Sequence, residues 1–517
     1  MITITVNEDK YEYDGKESLL ELLRANAYYV SAPCNGRGRC GKCAVTIMKG
    51  FVSASEADKQ FFSKEQITSG MRLACTCYPK QDITVHLEYA KNEEDFEVVT
   101  EFIEDMDERL ETSEEKTYSI AVDIGTTTIA AVLVDDTSGK QLASATGINH
   151  QRAYGADVIS RIQAANEGKL KELSLLVKKD LVGLIDEVLV QAEDGCMEKV
   201  TQILIGANTT MTHLLMEYSC ETLGVYPFTP VNIAAIETKA RDMLGENVPD
   251  CILKIVPGIS TYVGGDIVSG IYLTGIYHQE HPSLLIDLGT NGEMALAGKD
   301  KILVTSTAAG PAFEGGNISC GTGSIRGAVS DITIKNGASA ITLIGGDQAE
   351  PAGICGTGVV AITAALLEDA LLDETGAFEE AYEENGYPFA KTAAGEPLTF
   401  TQKDVREIQL AKAAVCAGIE ILIERYGITK NELEHVYIAG GFGLKLDAKK
   451  ALRIGLLPNE LADKIVMVGN SCLGGLVQLI THPEDEDILT DISEKAIELS
   501  LAADEKFNEL YIENMYF

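Results

Sequence analysis

The chain has 517 residues, of which 45% are hydrophobic, so it is long enough for roughly two to four domains with sizeable cores. Its formal net charge of −37 argues against binding to nucleic acid or to an anionic membrane surface. The N-terminus lacks the basic start and apolar run of a secretory signal, and no uninterrupted apolar stretch reaches about 18 residues. We therefore expect a cytoplasmic protein without membrane spans, whose 12 cysteines serve as thiols and metal ligands.

Residues 1–90 form the first predicted domain. The segment ITITV alternates as a β-strand does, YEYDG favours a second strand ending in a turn, and AVTIMKG and DITVHLEY favour two more. Near its start, SLLELLRAN has the apolar spacing of a helix, with Ser18 as its N-cap.

Four cysteines in this domain are spaced as ligands of an iron–sulfur cluster. Cys34, Cys40 and Cys43 lie in the glycine-rich stretch APCNGRGRCGKC, and Cys75 follows in RLAC. Thiolates are the expected ligands of a [2Fe–2S] cluster, and glycines let the backbone fold closely around it. Cys77 is the alternative fourth ligand. A zinc site or free thiols are the alternative use of these cysteines, but structural zinc usually takes two paired Cys-x-x-Cys elements and only one pair is present.

The first spacing of this set contains five intervening residues, one more than in plant-type ferredoxins. The domain therefore resembles the ferredoxins of the vertebrate and bacterial hydroxylase-associated type, and this resemblance implies a β-grasp fold.

The next segment, 91–116, is rich in acidic residues and poor in apolar ones, so we interpret it as a solvated linker or a short exposed helix. From Thr117 onward, apolar strands that end in Gly/Thr/Asn loops alternate with helical segments. This alternation predicts an α/β domain over 117–517, with two halves at about 117–280 and 281–517.

The two halves contain a repeated pattern. The segments SIAVDIGTTTIAAVLVD (119–135) and SLLIDLGTNGEMALAG (283–298) share a strand, an Asp-x-Gly-Thr turn and a second strand, with Asp123 and Asp287 at matching positions. Such a turn can offer backbone N–H groups and a hydroxyl to phosphate oxygens, and its Asp can orient hydrated Mg²⁺ or an attacking water. A single copy could equally be an ordinary hairpin turn. The candidate phosphate-binding residues are Gly125, Thr126, Thr127, Gly289, Thr290 and Asn291.

A third element, HVYIAGGFG (435–443), is predicted to be a strand running into a glycine-rich loop. Its residues Gly440, Gly441 and Gly443 would let the backbone lie against a nucleotide base and ribose, although a plain βα turn also uses glycine. Phe442 lies among them and is a further candidate for nucleotide binding. Together with the two hairpins, it resembles the adenosine motif of the actin, heat-shock ATPase and sugar kinase superfamily. That resemblance implies two ribonuclease-H-like halves closing over ATP with Mg²⁺. Asp266 and Glu314 are further acidic candidates near such a cleft.

A ferredoxin module ahead of this ATPase fold resembles the reductive activators of corrinoid-dependent methyltransferase systems. Further stretches typical of that family are ILIGANTTMTHLL (203–215), YVGGDIVSGI (262–271), TSTAAGPAFEGGNI (305–318), GICGTGVV (353–360) and VGNSCLGG (468–475). The resemblance covers essentially the whole chain. One departure is expected: larger family members carry a middle domain between linker and ATPase, and the chain is short enough that we expect it to lack this domain.

The family resemblance implies an ATP-dependent reaction in which one electron from the [2Fe–2S] cluster returns inactive Co(II) to Co(I). It also implies a corrinoid methyl-carrier protein as partner, an upstream low-potential electron donor and a homodimer. Three alternatives remain open: an ATP-gated electron donor to another low-potential enzyme, a metabolite kinase with a fused redox module, and an electron carrier whose C-terminal fold only docks partners.

Overall fold

The computed structural model describes residues 2–7, 9–26, 28, 30, 36–39, 41, 43–87, 100–102, 116–155, 157–192, 197–289, 291–346, 348–393, 395–502 and 504–517. Within these ranges, a five-stranded sheet is followed along the chain by two six-stranded sheets with their helices.

The N-terminal unit is a mixed sheet with short helices. Its elements are β1 (Ile2–Val6), β2 (Asp9–Tyr13), α1 (Leu19–Ala25), β3 (Ala44–Lys49), α2 (Glu56–Phe61), α3 (Lys64–Thr68), β4 (Met71–Leu73) and β5 (Ile83–His86). The sheet order is β2-β1-β5-β3-β4, with β1 antiparallel to β2 and parallel to β5. Ser18 caps α1 by accepting a hydrogen bond from the Glu21 N–H, and α1 packs into the core of the unit. The predicted β-grasp fold is confirmed.

The next unit, which we call the first half, contains a second sheet. Its elements are β6 (Tyr118–Ile124), β7 (Thr128–Asp135), β8 (Gln141–Ile148), α4 (Val158–Ala164), α5 (Leu170–Gln191), β9 (Val200–Ala207), α6 (Thr209–Leu215), β10 (Ile236–Lys239), α7 (Ala240–Leu244), β11 (Ile252–Ile255) and α8 (Gly265–Thr274). The sheet order is β10-β11-β9-β6-β7-β8. A π-helical turn (Ala165–Lys169) joins α4 to α5.

The second half follows. Its strands are β12 (Ser283–Leu288), β13 (Gly292–Gly298), β14 (Lys301–Thr307), β15 (Ala328–Lys335), β16 (Ala338–Leu343), β17 (Gly353–Ile354), β18 (Tyr387–Lys391), β19 (Pro397–Phe400), β20 (Val436–Ala439), β21 (Ile465–Gly469) and β22 (Ala496–Glu498). Its helices are α9 (Gly356–Glu368), α10 (Gln402–Tyr426), α11 (Gly440–Lys445), α12 (Ala448–Arg453), α13 (Ser471–Thr481), α14 (Glu486–Lys495) and α15 (Glu505–Glu513). The main sheet has the order β21-β20-β12-β13-β14-β22.

The main sheets of the two halves repeat one topology. In the first half, β6, β7 and β8 form an antiparallel meander, and β9 and then β11 extend the sheet in parallel beyond β6. In the second half, β12, β13 and β14 form the meander, and β20 and β21 are the parallel strands. This repeat confirms the predicted duplicated, ribonuclease-H-like fold.

Helices α8 and α13 pack against each other between the two main sheets and share one buried core with strands of both halves. Their backbones approach closely, because a Cβ on Gly475 of α13 would lie 2.1 Å from the carbonyl oxygen of Ser269 in α8. Only glycine fits this crossing.

Of the expected acidic linker, residues 100–102 and 116 are described. Phe102 is half-buried against the central core and forms a β-bridge with Gly469. The expectation of a solvated linker is therefore wrong at this point of the segment. No helix within the described ranges is both long and apolar enough to span a membrane.

Candidate nucleotide cleft and cluster domain

The two Asp-x-Gly-Thr turns face one open cleft between the halves, with a cavity volume of about 270 Å³. Asp123 lies near the end of β6 and Asp287 near the end of β12, and each strand leads into a tight hairpin. The predicted residues that line this cleft are Asp123, Gly125, Thr126, Thr127, Asp287, Gly289, Asn291, Gly440, Gly441 and Phe442. Thr290 lies outside the described residues, and Gly443 is buried against β20.

The first hairpin is held by side chains from three other segments. The Asn149 amide donates to the Gly125 carbonyl at 2.9 Å, and the Asn208 amide donates to the Thr126 hydroxyl at 3.1 Å. The guanidinium of the fully buried Arg161 donates to the Thr126 carbonyl. Charge-assisted bonds of this kind in a buried site fix the backbone of the turn.

Asp123 is held from the opposite half. The Asn470 amide donates to Asp123 Oδ2 at 2.8 Å, and Asn470 also caps α13 by accepting from the Leu473 N–H. Burial raises the pKa of Asp123, whereas the bonds from Asn470 and the Cys472 thiol lower it. The bond between Asn470 and Asp123 therefore joins the two halves at the cleft.

Three further carboxylates lie near Asp123: Asp266 on the central helix α8, and Asp287 and Glu293 on the second-half strands β12 and β13. Burial, with the charges of Asp123 and Asp287, raises the pKa of Asp266 to about 7, and burial with Asp123 raises the pKa of Asp287 to about 7. Glu293 lies opposite Asp287 on β13, and burial together with Asp266 and Asp287 raises its pKa well above the usual value.

This set of carboxylates fits a nucleotide-bound cation. Carboxylate and water oxygens are the ligands that Mg²⁺ takes, usually through one or two carboxylates and the phosphates of the substrate. The pKa values of these acids are raised by burial first and by mutual repulsion second, and a divalent cation would favour their charged forms against both effects. Asp266 and Glu314, both noted in the sequence, line the cleft, and the Thr127 hydroxyl donates to Glu314 at 3.4 Å.

The glycines of HVYIAGGFG do not form a loop. Gly440 to Gly443 are the first residues of α11, which follows β20 directly, so the loop expectation is wrong. Gly440 has φ +87, and a Cβ there would lie 2.7 Å from Asp287 Oδ1. Glycine thus leaves room for the Asp287 carboxylate. The Phe442 ring stacks on Phe313, with centroids 5.2 Å apart, and forms an aromatic wall of the cleft.

A second cavity of about 470 Å³ adjoins the cleft, because both are lined by Ser324, Thr357 and Lys445. Lys450 forms an ion pair with Asp331 at its wall. The two cavities together extend from the hairpins past α11.

Sequence reasoning missed Asn208, Asn470 and Glu293. Asn208 and Asn470 each follow directly after a parallel strand and cap the next helix. A polar cap at the carboxyl end of a parallel strand is the feature that could have indicated them, because ligands of α/β sheets bind at that edge.

In the N-terminal unit, Cys34 and Cys40 lie outside the described residues. The Cys43 thiol lies 3.3 Å from the Cys75 sulfur, and both residues are buried. The contact with Cys43, followed by the Gly38 N–H, lowers the pKa of Cys75 to about 7 despite burial. Two adjacent sulfurs, one of them favoured as thiolate, fit a shared metal cluster.

Cys77 differs from Cys75 in its surroundings. It is 1% exposed within the apolar core, and burial raises its pKa to about 12. This environment favours a neutral packed thiol.

Comparisons with known proteins agree with this architecture. Residues 4–80 match the model of the 2Fe-2S iron-sulfur cluster binding domain, residues 118–279 the RACo middle region, and residues 281–517 the C-terminal domain of RACo, the ASKHA domain. The corrinoid activation enzyme RamQ of Eubacterium limosum is 34% identical over 425 residues, which are 78% of this chain and 71% of RamQ.

The chain belongs to the family of reductive activators of corrinoid proteins. The [Co(II) methylated amine-specific corrinoid protein] reductase of Methanosarcina barkeri is 27% identical over 426 residues, 76% of each chain. The solved structure of a reductive activator for corrinoid, iron-sulfur protein matches 100% of this activator and 98% of that chain, with 25% identity and a TM-score of 0.69.

The expectation that this activator lacks the family's middle region is wrong. Residues 118–279, nearly all of the predicted first half (about 117–280), match the model of that region, and the solved relative is covered almost completely.

Proposed function

We propose that this activator uses ATP to drive the one-electron reduction of Co(II) in a corrinoid protein to Co(I). One observation carries the proposal: the same chain contains a β-grasp unit with paired cysteines and two Asp-x-Gly-Thr hairpins that face one cleft. The chain also belongs to the activator family.

The nucleotide would bind with its phosphates between the two hairpins. Backbone N–H groups near Gly125 and Gly289, with the neighbouring threonine hydroxyls, suit phosphate oxygens. Asp123 and Asp287 would orient the hydrated Mg²⁺ and the attacking water, in the roles of catalytic carboxylates. The base would lie past Phe442, towards the second cavity.

The proposed cluster ligands are Cys34, Cys40, Cys43 and Cys75. When bound by them, a [2Fe–2S] cluster supplies a one-electron donor with a potential near −400 mV for plant-type centres. Co(I) is a stronger reductant than such a centre, and each 59 mV of mismatch changes a one-electron equilibrium about tenfold. ATP-driven closure of the two halves would offset this gap.

We propose three units for the chain: a ferredoxin unit (1–90), a linker (91–116) and the ATPase (117–517). The partners would be a corrinoid methyl-carrier protein and an upstream low-potential electron donor, with the activator acting as a homodimer in the cytoplasm.

The function is tested by mixing the reduced activator, Mg-ATP and a methylamine-type corrinoid protein in its Co(II) state without oxygen, while Co(I) absorbance is followed. We expect Co(I) to form only when ATP and reduced activator are both present. Formation of Co(I) without ATP, or its absence with a panel of corrinoid proteins despite an intact cluster, would contradict the proposal.

The fourth ligand is tested with the matched variants Cys75→Ser and Cys77→Ser. Loss of a ligand should abolish the electron paramagnetic resonance signal of the reduced [2Fe–2S] cluster in Cys75→Ser or change it strongly. Cys77→Ser should keep that signal and only lower the melting temperature, because it places a hydroxyl in the apolar core. The reverse pattern would assign the ligand to Cys77.

A further inference from the structure

Among the described residues of the ferredoxin unit, one carboxylate is buried: Asp58 of α2, which is 1% exposed. Burying a charge costs free energy unless hydrogen bonds replace the lost water. Asp58 Oδ1 accepts from the Leu73 N–H at 2.7 Å, and Oδ2 accepts from the N–H and the hydroxyl of Ser55 at 2.6 and 2.9 Å. Because both oxygens accept hydrogen bonds, these contacts hold the group as a carboxylate.

The first of these bonds places the charge beside the turn that carries Cys75. Leu73, the donor to Asp58, is the last residue of β4 and lies two positions before Cys75. The next residue, Ala74, donates its N–H to the Cys43 carbonyl at 2.8 Å. The turn that is bonded to Asp58 is therefore also bonded to a second proposed cluster ligand.

Helix α2 also contacts the loop that carries the other proposed ligands. A Cβ on Gly38 of that loop would lie 3.6 Å from the Ala57 Cβ and 3.2 Å from the Thr76 methyl group. The Ser55 hydroxyl, which caps α2, lies 2.9 Å from the Thr76 hydroxyl. The neighbours of Asp58 in α2 therefore pack against both segments that would hold the cluster.

The charge of Asp58 is not neutralised by a cation in the described part of the chain. Its side-chain contacts there are hydrogen bonds from N–H and O–H groups, and it takes part in no ion pair. The buried guanidinium of Arg72 donates instead to the backbone carbonyls of Val52, Ile67 and Met71. A buried charge of this kind is screened by salt much less than an exposed one.

We infer that the buried charge of Asp58 lowers the reduction potential of the [2Fe–2S] cluster and makes the cluster a stronger reductant. Reduction adds an electron to a centre held by thiolates, and a nearby negative charge makes that step less favourable. A charge on the order of 10 Å away, at an effective dielectric constant of about 20, changes a one-electron equilibrium on the order of tenfold. A more negative potential reduces the mismatch with Co(II) that ATP has to offset. The inference rests on the proposed cluster ligands and the proposed reaction.

The test measures the midpoint potential of the cluster in the full-length chain, by anaerobic titration with redox mediators while the electron paramagnetic resonance signal is followed. Asp58→Asn removes the charge and keeps an oxygen as acceptor. Its potential should become less negative by about 59 mV, which is a tenfold change in the one-electron equilibrium. Asp58→Ser, which also removes the charge and keeps an acceptor, should shift the potential in the same direction.

Two variants are the matched controls. Ser55→Ala removes the hydroxyl that donates to Asp58 but removes no charge, so the one-electron equilibrium should change less than about twofold. Asp82→Asn removes the charge of an aspartate that also accepts a backbone N–H, from Thr3 at 2.8 Å, but is exposed. Water and salt screen that charge, so the equilibrium should again change less than about twofold.

An unchanged or more negative potential in either Asp58 variant that retains the cluster signal would overturn the inference. Loss of the cluster from both Asp58 variants would also overturn it, because the residue would then hold the fold of the ligand segments rather than set the potential. A shift of equal size in Asp82→Asn would show that the buried position has no special effect and would overturn it as well. A wild-type chain that assembles no [2Fe–2S] cluster would overturn the proposed function instead.

Discussion

The two hairpins occupy equivalent places in equivalent sheets, yet their surroundings differ. The first is held by Asn149, Arg161 and Asn208, and its Asp123 receives the Asn470 amide. The carboxylate of Asp287 receives no hydrogen bond from any residue in the described part of the chain, and Gly440 leaves space beside it. The duplicated backbone therefore carries one rigid turn and one carboxylate that is free to contact a ligand.

Each half also contains a buried cationic side chain, and the two side chains have different roles. In the first half, Arg161 supports the hairpin itself. In the second half, the buried Lys412 of α10 donates to the Tyr516 carbonyl and lies 5.1 Å from the Phe517 ring centroid. The second half thus uses its buried cation to hold the residues after α15, away from the cleft.

The largest effect is expected when the free carboxylate is removed. Asp287→Asn should lower the rate of ATP hydrolysis about 10²–10⁴-fold, because an amide cannot act as a base or orient the attacking water as a carboxylate does. Steady-state hydrolysis measures the effect. Asp123→Asn is the comparison: it should mainly raise the KM for Mg-ATP, since Asp123 belongs to the rigid turn. Equal losses of kcat with unchanged KM in both variants would erase the proposed distinction between the hairpins.

The support of the first hairpin is tested by Arg161→Met, which keeps an unbranched apolar stem but removes the guanidinium donor. The free energy of unfolding should fall by about 2–4 kcal/mol, because buried carbonyls lose their donor. Urea denaturation measures it, and Arg326→Met, at an exposed site between β14 and β15, should change stability by less than about 0.5 kcal/mol. Identical behaviour of the two variants would contradict a supporting role for Arg161.

The buried lysine of the second half gives a pH-dependent prediction. Burial lowers the pKa of Lys412 to about 8 from 10.5, so the unfolded chain binds the proton more tightly than the folded chain. Stability should therefore rise with pH by about 1.4 kcal/mol per unit through this interval, relative to Lys412→Met. Denaturation of both proteins at pH 7 to 10 measures the difference, and a constant difference across that range would refute the assignment.

The two strand–turn–strand repeats could be predicted from the sequence because each is a short, continuous segment with its own pattern of apolar, Asp, Gly and Thr residues. It could not predict the support of the first hairpin, since Asn470 and Asp123 are 347 residues apart and meet only through folding. The loop expected at Gly440 failed because glycine permits several conformations, and the packing of β20 against β12 selects a helix start there. We expected the middle region to be missing because the chain is short. That expectation failed because the middle region is itself one half of the duplicated fold and not an additional domain.

The close crossing of α8 and α13 gives the two halves a natural pivot. Ser269 is three residues from Asp266, about 4.5 Å along the helix axis, and Gly475 is five residues from Asn470, about 7.5 Å. Displacement in a rotation grows with distance from the axis, so groups at the crossing barely move while the outer rims travel furthest. If the proposed closure turns the halves about this crossing, the acidic residues of the cleft would therefore keep nearly the same positions, while the outer rims of the two halves would move furthest.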